Sequence, residues 1–486
     1  MRPSGLTAFS AALALTISAH GQQKIQDTKT VKPQGKPNVV FILADNVGWG
    51  DWGVYGGQVP TSRIDALAAH GIRFTNYCVQ SQCTPTRSTI LSGRIPVRTG
   101  NNRVPFPGEG KMGLAPWEYT MGELFSDAGY NTALYGKWHV GNTPGREPND
   151  QGFDEWWGIL NSSDEAAYSQ YPLWRALGLP TPQIWEGSKG SPSKPAASFD
   201  MQGKIYMDEN IAKHSVAYIK NHAKDKSKPF FLYISLTQAH PPMVAHPGFA
   251  GKSKARGGIY ADIIGEMDFR VGQILDAIKD AGVEDDTIVV LSSDNATGGL
   301  LGAGGGSNGS WHGNFFTPPF EGSYRVPAMI RWPGKVPAGV VSNEMLAAED
   351  WMPTLAGLAG EAQRMPTDRP IDGVDASAIM LGKDTRSGRD TFMFFGPDGE
   401  LMSVKWNTVK VIFRYAEGVD KPIVKPYFPL LFDLSSDPQE NVNLWEYNME
   451  TGWMFAPALK AVGEYQKSIA KYPSIKPGQD FDGYKQ

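Results

Sequence analysis

Two pairs of adjacent acidic and amide residues, Asp45-Asn46 and Asp294-Asn295, each follow a short apolar run. Their carboxylate and amide carbonyl oxygens are the hard ligands that Ca²⁺ prefers, and neither pair offers a soft donor that would favour Zn²⁺ or Cu²⁺. Either pair alone is better explained as a turn or a helix cap. Two pairs at the same edge of one sheet instead predict a metal site with Asp45, Asn46, Asp294 and Asn295 as ligands.

Cys83 is the second candidate for chemistry. Pro85 suits the first turn of a helix, which places Cys83 at the helix N-terminus, where backbone N–H groups and the helix dipole favour an anion. Arg87, four residues after Cys83, lies on the same helical face and could hold that anion. A thiolate at this position is a plausible nucleophile. The alternatives are a small buried side chain and a disulfide with Cys78, the only other cysteine.

The elements that must position these residues are four continuous apolar runs. Runs of this kind are typical of strands buried on both faces of a mostly parallel sheet. The runs are Val39–Ala44, Thr132–Tyr135, Phe230–Leu236 and Thr287–Leu291.

Polar residues follow the carboxyl end of each run, and in open α/β sheets ligands bind at that edge. The topology therefore predicts that five residues distant in sequence converge there. They are Asp45, Lys137, His139, His240 and Asp294.

Helical patterns lie between the strands. Thr120 and Glu123 have the spacing of a capping box, and an apolar stripe runs from Ile259 to Ile278. Alternating strands and helices predict an α/β fold, with a mostly parallel sheet between helix layers over residues 37–382.

A composition shift follows Gly382 and predicts a smaller C-terminal α+β subdomain over residues 383–486. Its expected elements form an antiparallel sheet with a closing helix. The strands are Phe392–Phe395, Leu401–Trp406, Val409–Tyr415 and Leu430–Leu434, and the helix is Pro457–Ile469.

The N-terminus resembles an export signal, with Arg2 before a short apolar stretch and small residues near Gly21. We expect residues 1–21 to be a signal peptide and residues 22–36 a polar tether, so that the protein is exported to the periplasm or the extracellular space. The stretch is too short to serve comfortably as a membrane anchor. A net charge of −4 gives no reason to expect a nucleic-acid partner, and no membrane partner is expected either.

The segment Cys83-Thr84-Pro85-Thr86-Arg87, followed by Gly93 six residues after Arg87, resembles the signature of the sulfatases, a family of the alkaline-phosphatase-like superfamily. Other segments resemble further motifs of that family in the same order. They are residues 38–51, 136–141, 238–242, 292–295, 321–327 and 431–444.

The resemblance implies an alkaline-phosphatase-like fold and hydrolysis of aryl or carbohydrate sulfate monoesters. It also implies that a maturing enzyme oxidises Cys83 to formylglycine, which lies at one Ca²⁺ ion and attacks sulfur as its hydrate. Arg87 would stabilise the reacting group, and His139 would assist its deprotonation. Lys137 and His240 would bind the sulfate, and either could protonate the leaving oxygen.

Two positions depart from the family pattern. The family usually has Asp where this chain has Asn46, which keeps an oxygen ligand but removes one charge. Many relatives have Lys at the position of Phe316, and His312 is a candidate to replace it in substrate binding. We expect residues 142–203, which have few family motifs, to form the substrate rim.

Two alternatives remain open at this point. The same modified cysteine could serve a phosphonate monoester or phosphodiester hydrolase. The chain could also be a non-catalytic protein that binds sulfated glycans on a sulfatase scaffold.

Overall fold

The structure is a computed structural model that describes residues 35–298, 305–418 and 420–485. The predicted signal peptide 1–21 and all but the last two residues of the predicted tether lie outside these ranges. Among the described helices, none is long and apolar enough to cross a membrane.

Sixteen strands form three sheets in the described part of the chain. The strands are β1 Asn38–Ala44, β2 Ile72–Phe74, β3 Tyr77–Cys78, β4 Asn131–Lys137, β5 Glu155–Ile159, β6 Gln183–Ser188, β7 Lys194–Ser198, β8 Phe230–Ser235, β9 Thr287–Ser293, β10 Ala328–Arg331, β11 Val340–Ser342, β12 Leu346–Ala347, β13 Thr391–Phe395, β14 Leu401–Trp406, β15 Val409–Ile412 and β16 Leu430–Asp433.

The largest sheet has ten strands in the order β11-β2-β10-β9-β1-β8-β4-β5-β6-β7. The four strands predicted from apolar runs are neighbours at its centre: β1 pairs in parallel with β8 and β9, and β4 pairs in parallel with β8. The antiparallel pairs that include β10, β6 and β7 lie towards the two edges. The carboxyl ends of β1, β4, β8 and β9 consequently meet along one edge, as the sequence predicted.

Within the described ranges, twelve α-helices accompany these strands. The helices are α1 Ser62–Ala69, α2 Cys83–Ser92, α3 Pro96–Thr99, α4 Met121–Asp127, α5 Pro172–Ala176, α6 Met201–His222, α7 Ile259–Asp280, α8 Glu321–Tyr324, α9 Trp351–Leu358, α10 Ser377–Met380, α11 Leu444–Tyr447 and α12 Phe455–Lys471. The capping box at the start of α4 is present as predicted.

Strand β1 divides the core into two layers because successive side chains of a strand point to opposite faces. Val39, Phe41 and Leu43 pack in one hydrophobic cluster, which also contains residues of α2, α4 and α9. The alternate residues Val40 and Ile42 pack in the other cluster, with residues of α6 and α7. The sheet is therefore covered by helices on both faces, which confirms the predicted α/β sandwich.

The four strands after residue 390 form an antiparallel sheet in the order β13-β14-β15-β16. Helix α12 packs against it, since Ala458 and Ala461 share a hydrophobic cluster with Val404, Val411 and Leu431. The smaller antiparallel sheet is confirmed, although its third strand ends at Ile412 rather than at Tyr415. The division at residues 382 and 383 stays a prediction.

Candidate active site

Six buried or half-buried side chains meet at the carboxyl edge of the large sheet, and we refer to them as the Cys83 cluster. Strand ends and the loops that follow them supply four of these side chains, and helix α2 supplies the other two, Cys83 and Arg87. The members are Asp45, Cys83, Arg87, Lys137, His240 and Asp294. The sequence predicted every one of these positions as a site residue.

Cys83 is the first residue of α2, as predicted. Its Sγ atom lies 3.3 Å from Nζ of Lys137 and 3.7 Å from Oδ1 of Asp45. The helix dipole and the Lys137 ammonium both favour negative charge at this point. Cys83 is only 1% exposed. The residue is therefore held where an anion would be stabilised, but it is closed off from bulk solvent.

The thiol form of Cys83 is not activated in this environment. Burial raises the pKa of the Cys83 thiol well above its usual value, and the charge of Asp294 adds to the effect of burial. Cys78 and Cys83 are both free, so the alternative of a disulfide between them is wrong for this structure.

Arg87 is anchored by three groups from different elements. Its Nε donates to Oδ2 of Asp294 at 2.9 Å. Its Nη1 donates to the carbonyl oxygen of Lys137 at 2.7 Å and to Oγ of Ser235 at 2.5 Å. Ser235 was not predicted as a site residue. A polar residue at the end of the apolar run of β8 was the signal that could have identified it.

The two acidic and amide pairs come together as predicted. The backbone N–H of Asn46 donates to Oδ1 of Asp294 at 3.2 Å, and Nδ2 of Asn295 donates to Oδ1 of Asn46 at 2.5 Å. Oδ1 of Asn295 is buried and has no hydrogen-bond partner among the described residues. A buried acceptor without a partner is costly. An oxygen-rich set with one unused acceptor fits a hard cation such as Ca²⁺.

The two carboxylates of the Cys83 cluster differ in electrostatics. Burial alone would raise the pKa of Asp45, but the charges of Lys137 and Arg87 outweigh burial and hold it well below its usual range. Burial raises the pKa of Asp294, and the charge of Asp45 raises it further. Facing buried carboxylates repel each other, so the arrangement accommodates additional positive charge.

The two histidines face the Cys83 cluster as neutral rings. Burial lowers the pKa of His240 to about 4, and the charge of Lys137 lowers it further. Nδ1 of His240 lies 2.6 Å from the carbonyl oxygen of Pro241, which can only accept, so Nδ1 carries the proton. Burial also lowers the pKa of His139 well below its usual value. Nδ1 of His139 is buried without a hydrogen-bond partner in the described part of the chain.

Asn46 and His139 both have positive φ values, of 62° and 61°. Such conformations are uncommon outside glycine and tend to mark functional sites, although Asn and His tolerate them better than most residues. The backbone at two predicted site residues is therefore held in place by its surroundings.

The contacts of His312 lie apart from the Cys83 cluster. Its ring packs against Phe320, with 3.9 Å between ring centroids, and its backbone N–H donates to Pro438. Burial lowers the pKa of His312, and the other groups that act on it are Glu417, Lys410 and Asp437. Among the described contacts, none joins His312 to the cluster, and its role in substrate binding stays a prediction.

Phe316 packs its ring on Phe315 with 4.8 Å between centroids. Like Asn46 and His139, it has a positive φ, of 69°. The side chain contributes an apolar surface where a lysine would contribute a charge.

A second buried group of charges joins helix α8 and strand β3 of the two-stranded sheet to the antiparallel sheet, and we call it the Glu321 cluster. Oε1 of Glu321 accepts from Arg325 at 2.8 Å and from Lys405 at 2.6 Å. The members are Cys78, Glu321, Arg325, Lys405, Lys410 and Glu440. Two segments that resemble family motifs, 321–327 and 431–444, therefore meet in this cluster, because Glu440 accepts from the backbone N–H of Glu321.

Comparison with known proteins agrees with the geometry. A sulfatase family model matches residues 37–361. Arylsulfatase A of Bos taurus is 33% identical over 464 residues, covering 90% of this chain and 88% of that protein. N-acetylgalactosamine-6-sulfatase of Canis lupus familiaris is 31% identical over 465 residues, covering 89% and 86%. The PsFucS1 sulfatase from Pseudoalteromonas sp. superposes with a TM-score of 0.83 at 29% identity, covering 91% and 92% of the two chains. The chain belongs to the sulfatase family of sulfuric ester hydrolases.

Proposed function

We propose that this sulfatase is exported and hydrolyses aryl or carbohydrate sulfate monoesters through a formylglycine formed from Cys83, with one Ca²⁺ ion. The observation that supports this most strongly is the place of Cys83. It begins helix α2 beside the Lys137 ammonium and the Asp45 carboxylate, at the edge where the sheet presents its polar residues.

Asp45, Asn46, Asp294 and Asn295 would hold the cation, which would also lie beside the group derived from Cys83. When bound, Ca²⁺ would neutralise negative charge on the reacting oxygens. Formylglycine supplies the oxygen nucleophile and a route to release sulfate that a thiol lacks. The unused Oδ1 of Asn295 supports this assignment of the ligands.

The other residues bind and move protons around that group. Arg87, fixed by Asp294 and the Lys137 carbonyl, would stabilise negative charge close to Cys83. Lys137 would contact a sulfate oxygen and can provide a proton to the leaving oxygen. His240 would contact the sulfate from the opposite loop. The unpartnered Nδ1 of His139 would accept a proton from the nucleophile.

Maturation must precede the end of folding, because Cys83 is buried in helix α2. A maturing enzyme would have to reach Cys83 before helix α2 is packed into the folded protein. We therefore expect modification before or during export, with the signal peptide 1–21 still directing the chain.

The decisive experiment is to produce the chain with and without a formylglycine-generating enzyme and to measure the intact mass. Conversion of the Cys83 thiol to an aldehyde should remove about 18 Da. Only the converted protein, loaded with Ca²⁺, should hydrolyse p-nitrophenyl sulfate.

Matched phosphonate monoesters and phosphodiesters then test the alternative reaction class. The kcat/KM for the sulfate ester should exceed the kcat/KM for the phosphonate monoester and for the phosphodiester. Faster turnover of either phosphorus substrate by the converted enzyme would overturn the proposal.

A further inference from the structure

A cavity of about 580 Å³ opens next to the Cys83 cluster. His139 lines it, and so does Ser162, whose Oγ lies 3.4 Å from Nε2 of His240. The rest of the wall comes from residues within two segments of the chain, 104–112 and 141–174. A sulfate group held at the Cys83 cluster would therefore leave the alcohol part of the ester in this cavity, which has the size of a small-molecule site.

The charged side chains that line the cavity are acidic. Asp164, Glu165 and Glu109 line the cavity, and the described lining residues include no lysine or arginine. Glu109 is paired with Arg103 at the rim and contributes little net charge. Asp164 and Glu165 have no such cationic partner among the described residues. Beyond the sulfate-binding end, the cavity thus presents two acidic side chains.

These two acidic groups offer complementary hydrogen bonding. Burial would raise the pKa of Asp164, but hydrogen bonds from Ser162 and Tyr168 hold it below its usual value. Burial raises the pKa of Glu165 to about 7, and the charge of Asp164 adds to it. At neutral pH Asp164 accepts hydrogen bonds, whereas Glu165 can both accept and donate. Sugar hydroxyl groups, which do both, match this pair.

Two aromatic side chains complete the wall. The rings of Tyr168 and Trp174 lie 5.0 Å apart between centroids, and both side chains are half-buried at the cavity. Aromatic faces of this kind offer a flat apolar surface with a polar edge, which fits the C–H face of a pyranose ring. The Tyr168 hydroxyl donates to Asp164 at 2.6 Å and fixes the carboxylate relative to the rings.

We infer that the cavity binds the alcohol part of the substrate as a neutral, hydroxyl-rich sugar with a single sulfate. Asp164 and Glu165 bind its hydroxyls and disfavour sugars that carry a carboxylate or a second sulfate next to the reacting ester. This assignment of the substrate class rests on the proposed sulfatase function.

The preference for neutral over anionic sugars follows from the partial burial of Asp164. An added anion in the cavity would meet the Asp164 carboxylate in a partly desolvated space, where like charges repel far more than in water. A neutral hydroxymethyl group at the same position meets no such repulsion. We expect a preference of about tenfold or more in kcat/KM for the neutral sugar.

The experiment compares hexose monosulfates with the hexuronic acid monosulfates that carry the ester at the same carbon, using the converted, Ca²⁺-loaded enzyme. Esters at C2, C3 and C4 are tested in such pairs, and p-nitrophenyl sulfate reports general catalysis. For each variant the ratio of kcat/KM within a pair is used, so that a general loss of activity cancels. Asp164→Asn and Glu165→Gln should each reduce the ratio at least about threefold. Glu186→Gln is the control, since Glu186 lies in a different cavity beside Lys194; it should leave the ratio unchanged.

The outcomes separate the two proposals. Equal turnover within every pair, preference for the uronic acid, or ratios unaffected by both variants would overturn the assignment of the cavity. Turnover of p-nitrophenyl sulfate with no turnover of any sugar sulfate would also overturn it, while the sulfatase function stands. Absence of any sulfate ester hydrolysis by converted enzyme would instead overturn the proposed function.

Discussion

The Cys83 cluster and the Glu321 cluster have nearly the same ingredients. In each, a free buried cysteine lies beside a lysine: Sγ to Nζ is 3.3 Å between Cys83 and Lys137 and 3.0 Å between Cys78 and Lys405. Each also contains two carboxylates and one arginine. A buried cysteine, lysine, arginine and carboxylate set is therefore not in itself evidence for an active site.

The clusters differ in what surrounds them. The Cys83 cluster borders a cavity through His139 and contacts Asn46 and Asn295, and it adjoins buried polar atoms with no partner among the described residues. In the Glu321 cluster both oxygens of Glu321 meet cations, from β14 and β15 of the antiparallel sheet. The first arrangement keeps binding capacity for a ligand, and the second uses its capacity to hold helix α8 against the antiparallel sheet.

The largest difference is expected between the two cysteines. Cys83→Ala should lower kcat for sulfate esters by about 10⁴-fold or more, because the nucleophile is lost, while thermal unfolding stays close to that of the parent. Cys78→Ala should keep kcat and lower the free energy of unfolding by about 1 kcal/mol. Steady-state kinetics and calorimetry of both variants measure these effects. A stable but inactive Cys78→Ala enzyme would refute the division between the clusters.

Lys137 and Lys405 should differ as the two cysteines do, with Lys137 important for catalysis and Lys405 for stability. Lys405→Met leaves part of the Glu321 charge buried without compensation and should lower the free energy of unfolding by about 3–5 kcal/mol. The KM of the molecules that remain folded should not change. Lys137→Met should instead lower kcat by about 10²–10³-fold, since a group that stabilises transition-state charge is lost. Denaturant unfolding measures the loss of stability, and steady-state kinetics measures the loss of kcat. Equal losses of kcat in both variants would contradict the proposed difference between the two clusters.

Much of the Cys83 cluster was predictable because it follows from local patterns. Apolar runs predict parallel strands, and Asp45, Lys137 and Asp294 lie at or just after the ends of such strands. Cys83, Pro85 and the Cys-x-Pro-x-Arg spacing likewise carry their own signal. The fold class follows from the same patterns.

The remaining features depend on contacts that no local pattern encodes. Lys405 and Lys410 reach Glu321 of helix α8 from the antiparallel sheet, 84 and 89 positions away in sequence. Asp164 and Glu165 lie in a 3₁₀ helix, Ser163–Gln170, and no periodic pattern in the sequence places that helix at the cavity. The residues 142–203 were predicted as a substrate rim, but the contribution of residues 104–112 was missed.

Low pH should destabilise the protein through the Glu321 cluster. Burial would raise the pKa of Glu321, but Lys405, Arg325 and Lys410 outweigh it and hold the pKa far below its ordinary value. A depressed pKa in the folded state gives stability that is present above the unfolded pKa of about 4.3 and is lost as the pH falls.

The stabilisation that Glu321 provides should therefore fall by about 1.4 kcal/mol for each pH unit below about pH 4. Denaturant unfolding between pH 3 and 5 measures the slope, and Glu321→Gln should remove this contribution. Glu450→Gln, at an exposed position, is the control and should keep the parent slope. Equal slopes for the parent and Glu321→Gln would show that this carboxylate carries no such linkage.

The smallest expected effect concerns Asn46, where one substitution can strengthen the Cys83 cluster as a cation site. Oδ1 of Asn46 accepts from Nδ2 of Asn295, and a carboxylate can accept in the same way, so Asn46→Asp fits the observed geometry. The added charge should raise Ca²⁺ affinity about tenfold, an increase of about 1.4 kcal/mol in Ca²⁺-dependent stabilisation. Without Ca²⁺ the variant should be less stable than the parent, because a third carboxylate joins Asp45 and Asp294.

Calorimetric titration with Ca²⁺ measures the expected rise in affinity. Thermal unfolding with and without a chelator measures the expected loss of stability in the absence of Ca²⁺. The matched control is Asn76→Asp, because Asn76 accepts from Arg325 and Lys405 and so adds a carboxylate to the Glu321 cluster instead. It should leave Ca²⁺ affinity unchanged. If Asn76→Asp shifted Ca²⁺ binding as much as Asn46→Asp, general charge rather than coordination would explain the effect, and the Cys83 cluster would lose its distinction as the cation site.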